Sequence, residues 1–186
     1  MFAILAHDDT NGIGNFDGLI PWHSHEDMAF FKKMTAGKHM IMGANTLRPL
    51  LKKANVAGNW LFPGRKVDCP ISRFDDELSE LAATHQNIGI LYNPTGKFTS
   101  YYVDGVVAGG GKTYLDHFDQ CQQFVITQIK GNYECDVKVP ELIAKVRSEC
   151  IMVESRELSE TAFATLWVKK AFLKENNGDA GMTIYC

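Results

Sequence analysis

The chain has 186 residues, 45% hydrophobic and 22% charged, which is ordinary globular usage at a one-domain length and excludes disordered and fibrous readings. Nineteen Lys and Arg against 22 Asp and Glu give a net charge of -3 at pH 7, which argues against a nucleic-acid partner held through phosphates. No apolar run approaches the roughly 18 residues of a membrane span, and residues 1–6 lack the basic flank and length of a secretory signal.

Five widely spaced cysteines, Cys69, Cys121, Cys135, Cys150 and Cys186, form no C-x-x-C pair, and reduced thiols in a cytoplasmic compartment are expected. Short apolar runs alternate with turn clusters and helical stretches, an α/β pattern, and with no linker or repeat one domain over 1–186 is expected. Phe2 to Ala6 predicts a buried strand, and the Asp-, Asn- and Gly-rich stretch 8–21 predicts a long loop. Ser24 offers an N-cap for a helix to Met34. His39 to Met42 predicts a strand, Gly43 to Thr46 leads into a short helix, and 51–59 reads as a surface excursion before the turn at Pro63-Gly64-Arg65. The stretch 75–102 gives the least clear pattern, although Ile88 to Tyr92 is strand-like. Val103 to Ala108 predicts a strand ending at three glycines, followed by a helix from Lys112 to Phe118. Phe124 to Ile129 and Cys150 to Val153 read as strands around a helix begun by Pro140, and Phe163 to Phe172 and Met182 to Cys186 as closing antiparallel strands.

Asp27 shares a helix face with Phe31 and Met34 at i, i+4, i+7, while Glu26, Lys32 and Lys33 point elsewhere. A carboxylate on an apolar stripe needs a raised pKa or a cationic partner, and its two oxygens match two parallel N–H donors of an amidine-like heterocycle. Equally, Asp27 is placed to reach back to the Ser24 backbone in a capping box. Gly109-Gly110-Gly111-Lys112-Thr113, at a strand-to-helix corner, suits a dinucleotide pyrophosphate. A P-loop is disfavoured because Val106 stands where that motif needs glycine, and a ligand-free tight turn is the plain alternative. Gly12-Ile13-Gly14, Asp17-Gly18 and Pro21-Trp22 fit either a lid or an ordinary pinned loop. Arg65 could fork a carboxylate or simply be a surface cation. His23 and His25, two apart, do not converge on one metal, and no metal site is expected.

Taken together, Gly12-Ile13-Gly14, Leu19-Ile20-Pro21-Trp22, Asp27-Met28, Phe31-Lys32, Thr35, Gly37-Lys38, Ile41-Met42-Gly43 and Thr46 resemble the N-terminal signature of the dihydrofolate reductase family. Pro63-Gly64-Arg65, Ser72-Arg73, Gly109 to Tyr114 and Thr127 follow in that family's order; the match is dense to about residue 73 and returns at 106–129. The resemblance implies a single α/β domain, with a twisted, mainly parallel sheet of about eight strands, an antiparallel C-terminal edge and flanking helices. It implies a cytoplasmic monomer whose partner is a small molecule, and NADPH-dependent reduction of 7,8-dihydrofolate to tetrahydrofolate by hydride transfer to C6 and protonation of N5.

Carried over residue by residue, the resemblance has Asp27 hold the pterin's 2-amino and N3 groups, helped by Thr127 and a water near Trp22. Ile4, Leu5, Ala6, Ile20, Phe31 and Leu50 would line the substrate slot, and Arg65 would clamp the tail carboxylate. Ala6, Ile13, Gly14, Asn15, Gly18 and Leu19 would meet the nicotinamide end of the cofactor beneath a lid over Gly14 to Ile20. Gly43, Ala44, Asn45 and Thr46, with Gly109, Gly110, Gly111, Lys112, Thr113 and Tyr114, would hold the rest of the cofactor, with Ala108 near the nicotinamide and Ser72 and Arg73 near the 2′-phosphate. Ala44 stands where the family often has a basic residue, so NADPH preference must lean on Arg73 or a nearby Lys. Ala108 replaces a larger aliphatic, and the loop 15–20 is one residue longer than common versions. Pro70 predicts a strand that is at an edge, bulged or re-registered. The rivals are the related reductase of riboflavin synthesis, which does not require Asp27, Phe31 and Arg65 together, a P-loop hydrolase, and a catalytically silent nucleotide-binding homologue.

Overall fold

The computed structural model describes residues 1–96 and 105–185; Val103 and Asp104 of the strand expected over 103–108, and Cys186, lie outside the described residues. The elements in chain order are β1 (Phe2–Asp8), β2 (Gly12–Gly14), α1 (His25–Thr35), β3 (His39–Ile41), α2 (Ala44–Ala57), β4 (Lys66–Ile71), α3 (Asp76–Ala82) and β5 (Ile88–Tyr92). They continue with β6 (Val106–Val107), α4 (Gly111–Asp116), a 3₁₀ turn (Phe118–Gln120), β7 (Gln123–Ile129), β8 (Val137–Lys138), α5 (Pro140–Glu149), β9 (Cys150–Ser159), β10 (Ala162–Lys169) and α6 (Lys170–Glu175).

Eight strands form one sheet in the order β5-β4-β3-β6-β1-β7-β10-β9. The pairs from β5 to β7 are parallel, and β10 and β9 close the sheet antiparallel. β1 is almost wholly buried because it lies centrally with helices over both faces, the environment that selects a continuous apolar run. Its alternation divides the core. Phe2 and Ile4 join Phe30 of α1 and Leu47 and Leu51 of α2 on one face, whereas Ala3 and Leu5 join Tyr114 of α4 and Leu142 and Val146 of α5 on the other.

Several expectations change. Residues 51–57 are no excursion but the continuation of α2, a 14-residue helix whose Leu47, Leu51 and Ala54 recur at helical spacing and are buried. Gly58, in the left-handed region at φ 64, ends it by donating to Ala54 and Asn55 carbonyls. The last strand stops at Lys169, and Lys170–Glu175 is helical. Residues 182–185 form no strand; their backbone is tied to β9, with Ile184 N–H donating to Glu154 Oε2 at 2.8 Å and Arg156 donating to Ile184 O at 2.9 Å. β9 itself, extended to Ser159, is the antiparallel edge. The loop 8–21 contains β2, which pairs with β8 in a separate two-stranded ribbon.

Pro70 sits in an internal strand, in register with Leu91 of β5 and without a bulge. Asp68 O accepts from Met42 N, so even-numbered residues of β4 face β3. β3 has already ended at that height, and the missing proline N–H removes no ladder bond. Thr127, opposite Ala6 in the β1–β7 register, faces the same cleft as the glycine corner after β6.

Candidate active site

A cavity of about 1360 Å³ opens at the carboxyl ends of β1, β3, β4 and β6, between α1 and α2. Such crevices are where open α/β sheets place ligands, because the loops leaving the strands diverge there. Asp27, Thr127, Ile4, Leu5, Ala6, Ile20, Phe31 and Leu50 all line it. So do the cofactor candidates Ile13, Gly14, Asn15, Gly18, Leu19, Gly43 to Thr46, Ser72, Arg73 and Ala108 to Tyr114.

The alternatives for Asp27 resolve into two separate bonds. Ser24 caps α1 by accepting from the Asp27 backbone N–H at 3.2 Å, which is half of a capping box. The Asp27 carboxylate turns the other way, to the hydroxyl of Thr127, which is 1% exposed. Burial raises the Asp27 pKa above the ordinary carboxylate value, and the Thr127 hydrogen bond only partly opposes it. An acid in this state gains from any ligand that brings paired N–H donors or positive charge.

The two glycine turns lie face to face. Gly43 N–H donates to Gly109 O at 2.8 Å, and the peptide between Gly109 and Gly110 is cis. A Cβ on Gly43 would stand 2.3 Å from Thr113 Oγ1, and one on Gly110 would stand 2.6 Å from Thr46 Oγ1. At the start of α2 Gly43 N–H is taken by Gly109 O and Thr46 N–H by Gly43 O, which leaves the Ala44 and Asn45 amides of a 14-residue helix without an acceptor among the described residues, on the wall of the cavity. This is the donor array that receives a phosphate. Gly43→Ala is therefore expected to lose about 1–3 kcal/mol in thermal unfolding by overpacking. Adding Thr113→Ala to that variant should restore part of the loss.

The loop after β2 crosses the cavity mouth as a compact turn. Asn15 N–H donates to Leu19 O and Gly18 N–H to Asn15 O, each at 2.9 Å, and Asp17 accepts from Leu19 N–H. At its tip Gly18, at φ 77, lies against Pro49 of α2, where a Cβ would approach to 2.4 Å. Phe16 and Asp136 tie its near side to the loop before β8, with Phe16 N–H donating to Asp136 Oδ2 at 3.3 Å.

Two of the predicted residues do not line the cavity. Trp22 is buried against Tyr133, ring centroids 5.6 Å apart, and anchors the loop from behind. Arg65 donates to Thr35 Oγ1 at 3.0 Å and stacks 5.2 Å from the ring of Phe62; it is Phe62 that reaches the cavity wall. Sequence reasoning missed Arg48 and Lys52, which line the cavity one and two turns after Ala44. Arg48 pairs with Asp75 and with Glu77, and Lys52 with Glu77 at 2.6 Å. The i, i+4, i+8 spacing of 44, 48 and 52 carried that signal, hidden by reading the helix as too short.

Fold and cleft define an α/β protein with a ligand crevice at the strand ends, cornered by glycines and covered by a loop. The model of the dihydrofolate reductase family matches residues 1–165, and the chain belongs to that family. It is 28% identical over 145 residues to the dihydrofolate reductase of Bacillus subtilis (strain 168), covering 76% of each chain. It is 30% identical over 142 residues to that of Neisseria gonorrhoeae, covering 76% of this chain and 78% of the relative. Among solved structures, a dihydrofolate reductase from Enterococcus faecalis complexed with NADP(H) and RAB-propyl matches with a TM-score of 0.68 at 20% identity, over 91% of this chain and 95% of that one.

Proposed function

We propose that this protein reduces 7,8-dihydrofolate to 5,6,7,8-tetrahydrofolate with NADPH. The observation that carries the reading is a desolvated Asp27 carboxylate lining the same cavity as the opposed Gly43 and Gly109-Gly110 turns. The narrow glycine corner and the open amides of α2 fit a dinucleotide pyrophosphate, and Ser72 and Arg73 on the rim suit a 2′-phosphate. When bound, NADPH supplies the hydride delivered to C6 of the pterin.

Asp27 accepts from the pterin N3–H and 2-amino groups, and Thr127 holds the carboxylate in place for that pair. Its unscreened charge favours the protonated pterin, which makes C6 the better hydride acceptor. Phe31, Leu50 and Ile4 give the slot apolar walls that exclude water and hold the ring flat; such orientation can contribute roughly 7–11 kcal/mol. Water admitted past the loop at 14–20 delivers the proton to N5. Arg65, oriented by Thr35 and Phe62, receives the tail carboxylate at the rim. Trp22 acts through the loop it anchors.

The chain acts as one domain and as a monomer, and four buried free thiols, Cys69, Cys121, Cys135 and Cys150, suit a reducing cytoplasm. Among the described residues no helix is long and apolar enough to cross a membrane. The test is NADPH absorbance followed with and without dihydrofolate. The expected result is a decay that requires dihydrofolate and is blocked by methotrexate; a decay indifferent to dihydrofolate, or none, would overturn the reading.

A further inference from the structure

His7 follows Ala6 in β1, so its side chain leaves the main cleft and points through the opposite face of the sheet. The imidazole is 6% exposed, and its Nδ1 lies 2.7 Å from the Asp8 carbonyl. A carbonyl only accepts, so Nδ1 carries the proton. Burial, reinforced by the nearby Arg147 charge, holds the His7 pKa below its ordinary value and keeps the ring neutral. Its Nε2 is then a lone-pair acceptor without a partner among the described residues.

That ring lines a separate cavity of about 170 Å³, which shares no residue with the main cleft. Its origin is visible in β10, where Ala162, Ala164, Leu166 and Val168 are buried but Phe163, Thr165 and Trp167 on the other face are only partly covered by α5. The aromatic wall needs no polar partner of its own. Thr165 donates to Ile126 O at 3.0 Å and accepts from Trp167 Nε1 at 2.9 Å. Arg147, at the end of α5, lines the same cavity and makes no ion pair or hydrogen bond among the described residues.

We propose that this second cavity binds a single-ring aromatic acid bearing a hydroxyl or amino donor, with the ring against Phe163 and Trp167, the carboxylate on Arg147 and the donor on His7 Nε2. The volume suits one ring, since an apolar cavity of about 150 Å³ already holds benzene. Arg147 selects a carboxylate through charge-assisted bonds, and the unpaired acceptor of His7 on the cavity wall favours a ligand that brings it a donor.

The experiment is an NMR titration of the full chain with 4-hydroxybenzoate, 4-methoxybenzoate and phenol, followed at the Trp167 indole. Saturable shifts are expected there, with 4-hydroxybenzoate binding about tenfold or more tightly than 4-methoxybenzoate, which cannot donate to His7. Arg147→Leu should weaken 4-hydroxybenzoate about tenfold or more and leave phenol binding and thermal stability unchanged. The proposal is overturned by no saturable shift up to about 10 mM ligand, by shifts confined to the cleft around Asp27, or by equal binding of the hydroxy and methoxy acids. None of these outcomes depends on turnover, so failure here leaves the reading of the main cleft standing.

Discussion

Asp27→Asn is expected to lower turnover at neutral pH by about 10²–10⁴-fold, the usual contribution of a group that controls protonation in the transition state. The amide keeps the acceptor that Thr127 uses but, in the proposed reaction, would set a donor against the pterin's own N–H groups and remove the charge that favours the protonated ring. The defect should narrow as the pH falls, because solvent then protonates the substrate without help. Stability should move in the opposite direction. A carboxyl whose folded pKa is raised is ionised more readily in the unfolded chain, so wild type loses stability as pH rises from the ordinary carboxylate range through the folded value. Above that window Asp27→Asn should be more stable than wild type, by on the order of 1 kcal/mol. A variant with full activity at neutral pH would remove Asp27 from the reaction; steady-state rates and denaturant unfolding across pH measure both effects.

The second large effect concerns Asp8, which touches no part of the cavity. Its carboxylate is fully buried and accepts from Thr10 N–H at 2.8 Å, Thr10 Oγ1 at 2.9 Å, Gly12 N–H at 2.8 Å and Tyr133 N–H at 3.0 Å. It thus joins the root of the covering loop to the loop that backs Trp22 through Tyr133. Asp8→Ala leaves these donors unpaired and should cost about 3–5 kcal/mol of unfolding free energy, about 1–3 kcal/mol for the buried Gly12 N–H and less for each of the part-buried Thr10 and Tyr133 donors, which water can reach. Those bonds, despite the burial that works against them, hold the Asp8 pKa down at about 2 against the ordinary 3.8. A depressed folded pKa means stability that is complete above the unfolded value and is lost as pH falls from 3.8 through about 2. The loss amounts to roughly 2.5 kcal/mol at 1.36 kcal/mol per unit. Chemical unfolding between pH 5 and 2 should show this slope in wild type and a shallower one in Asp8→Ala.

Asp8 also shows where sequence reading stops. It stood in a run of Asp, Asn and Gly that reads as a solvated loop, and although Thr10 and Gly12 are near, nothing local says that Tyr133, 125 positions away, supplies a further donor. Asp27 was legible because its neighbours on a helix face are near in sequence, as were the Ser24 cap and the first strand, expected over Phe2 to Ala6 and observed to run on to Asp8. The glycine corner was legible as a corner. That two glycine turns press on each other, forbidding a Cβ at Gly43, is a long-range fact. The C-terminal half of α2 was obscured by Asn, Lys and Gly composition, although Leu47, Leu51 and Ala54 kept the helical period. With it went Arg48 and Lys52 on the cavity wall. Pro70 misled because proline statistics describe whole strands, whereas the cost depends on whether a neighbour still runs alongside at that residue. Trp22 and Arg65 mark a subtler limit: a motif fixes a residue's place in the chain, while which way its side chain turns depends on Tyr133 and Thr35.

The most direct measurement is the titration of the Asp27 carboxyl carbon by NMR, in the free protein and with a bound pterin analogue such as methotrexate. In the free protein the account predicts a midpoint above the ordinary carboxylate value, falling well below it once a ring with paired N–H donors is seated. An ordinary midpoint in the free protein, or one that the ligand does not move, would contradict it.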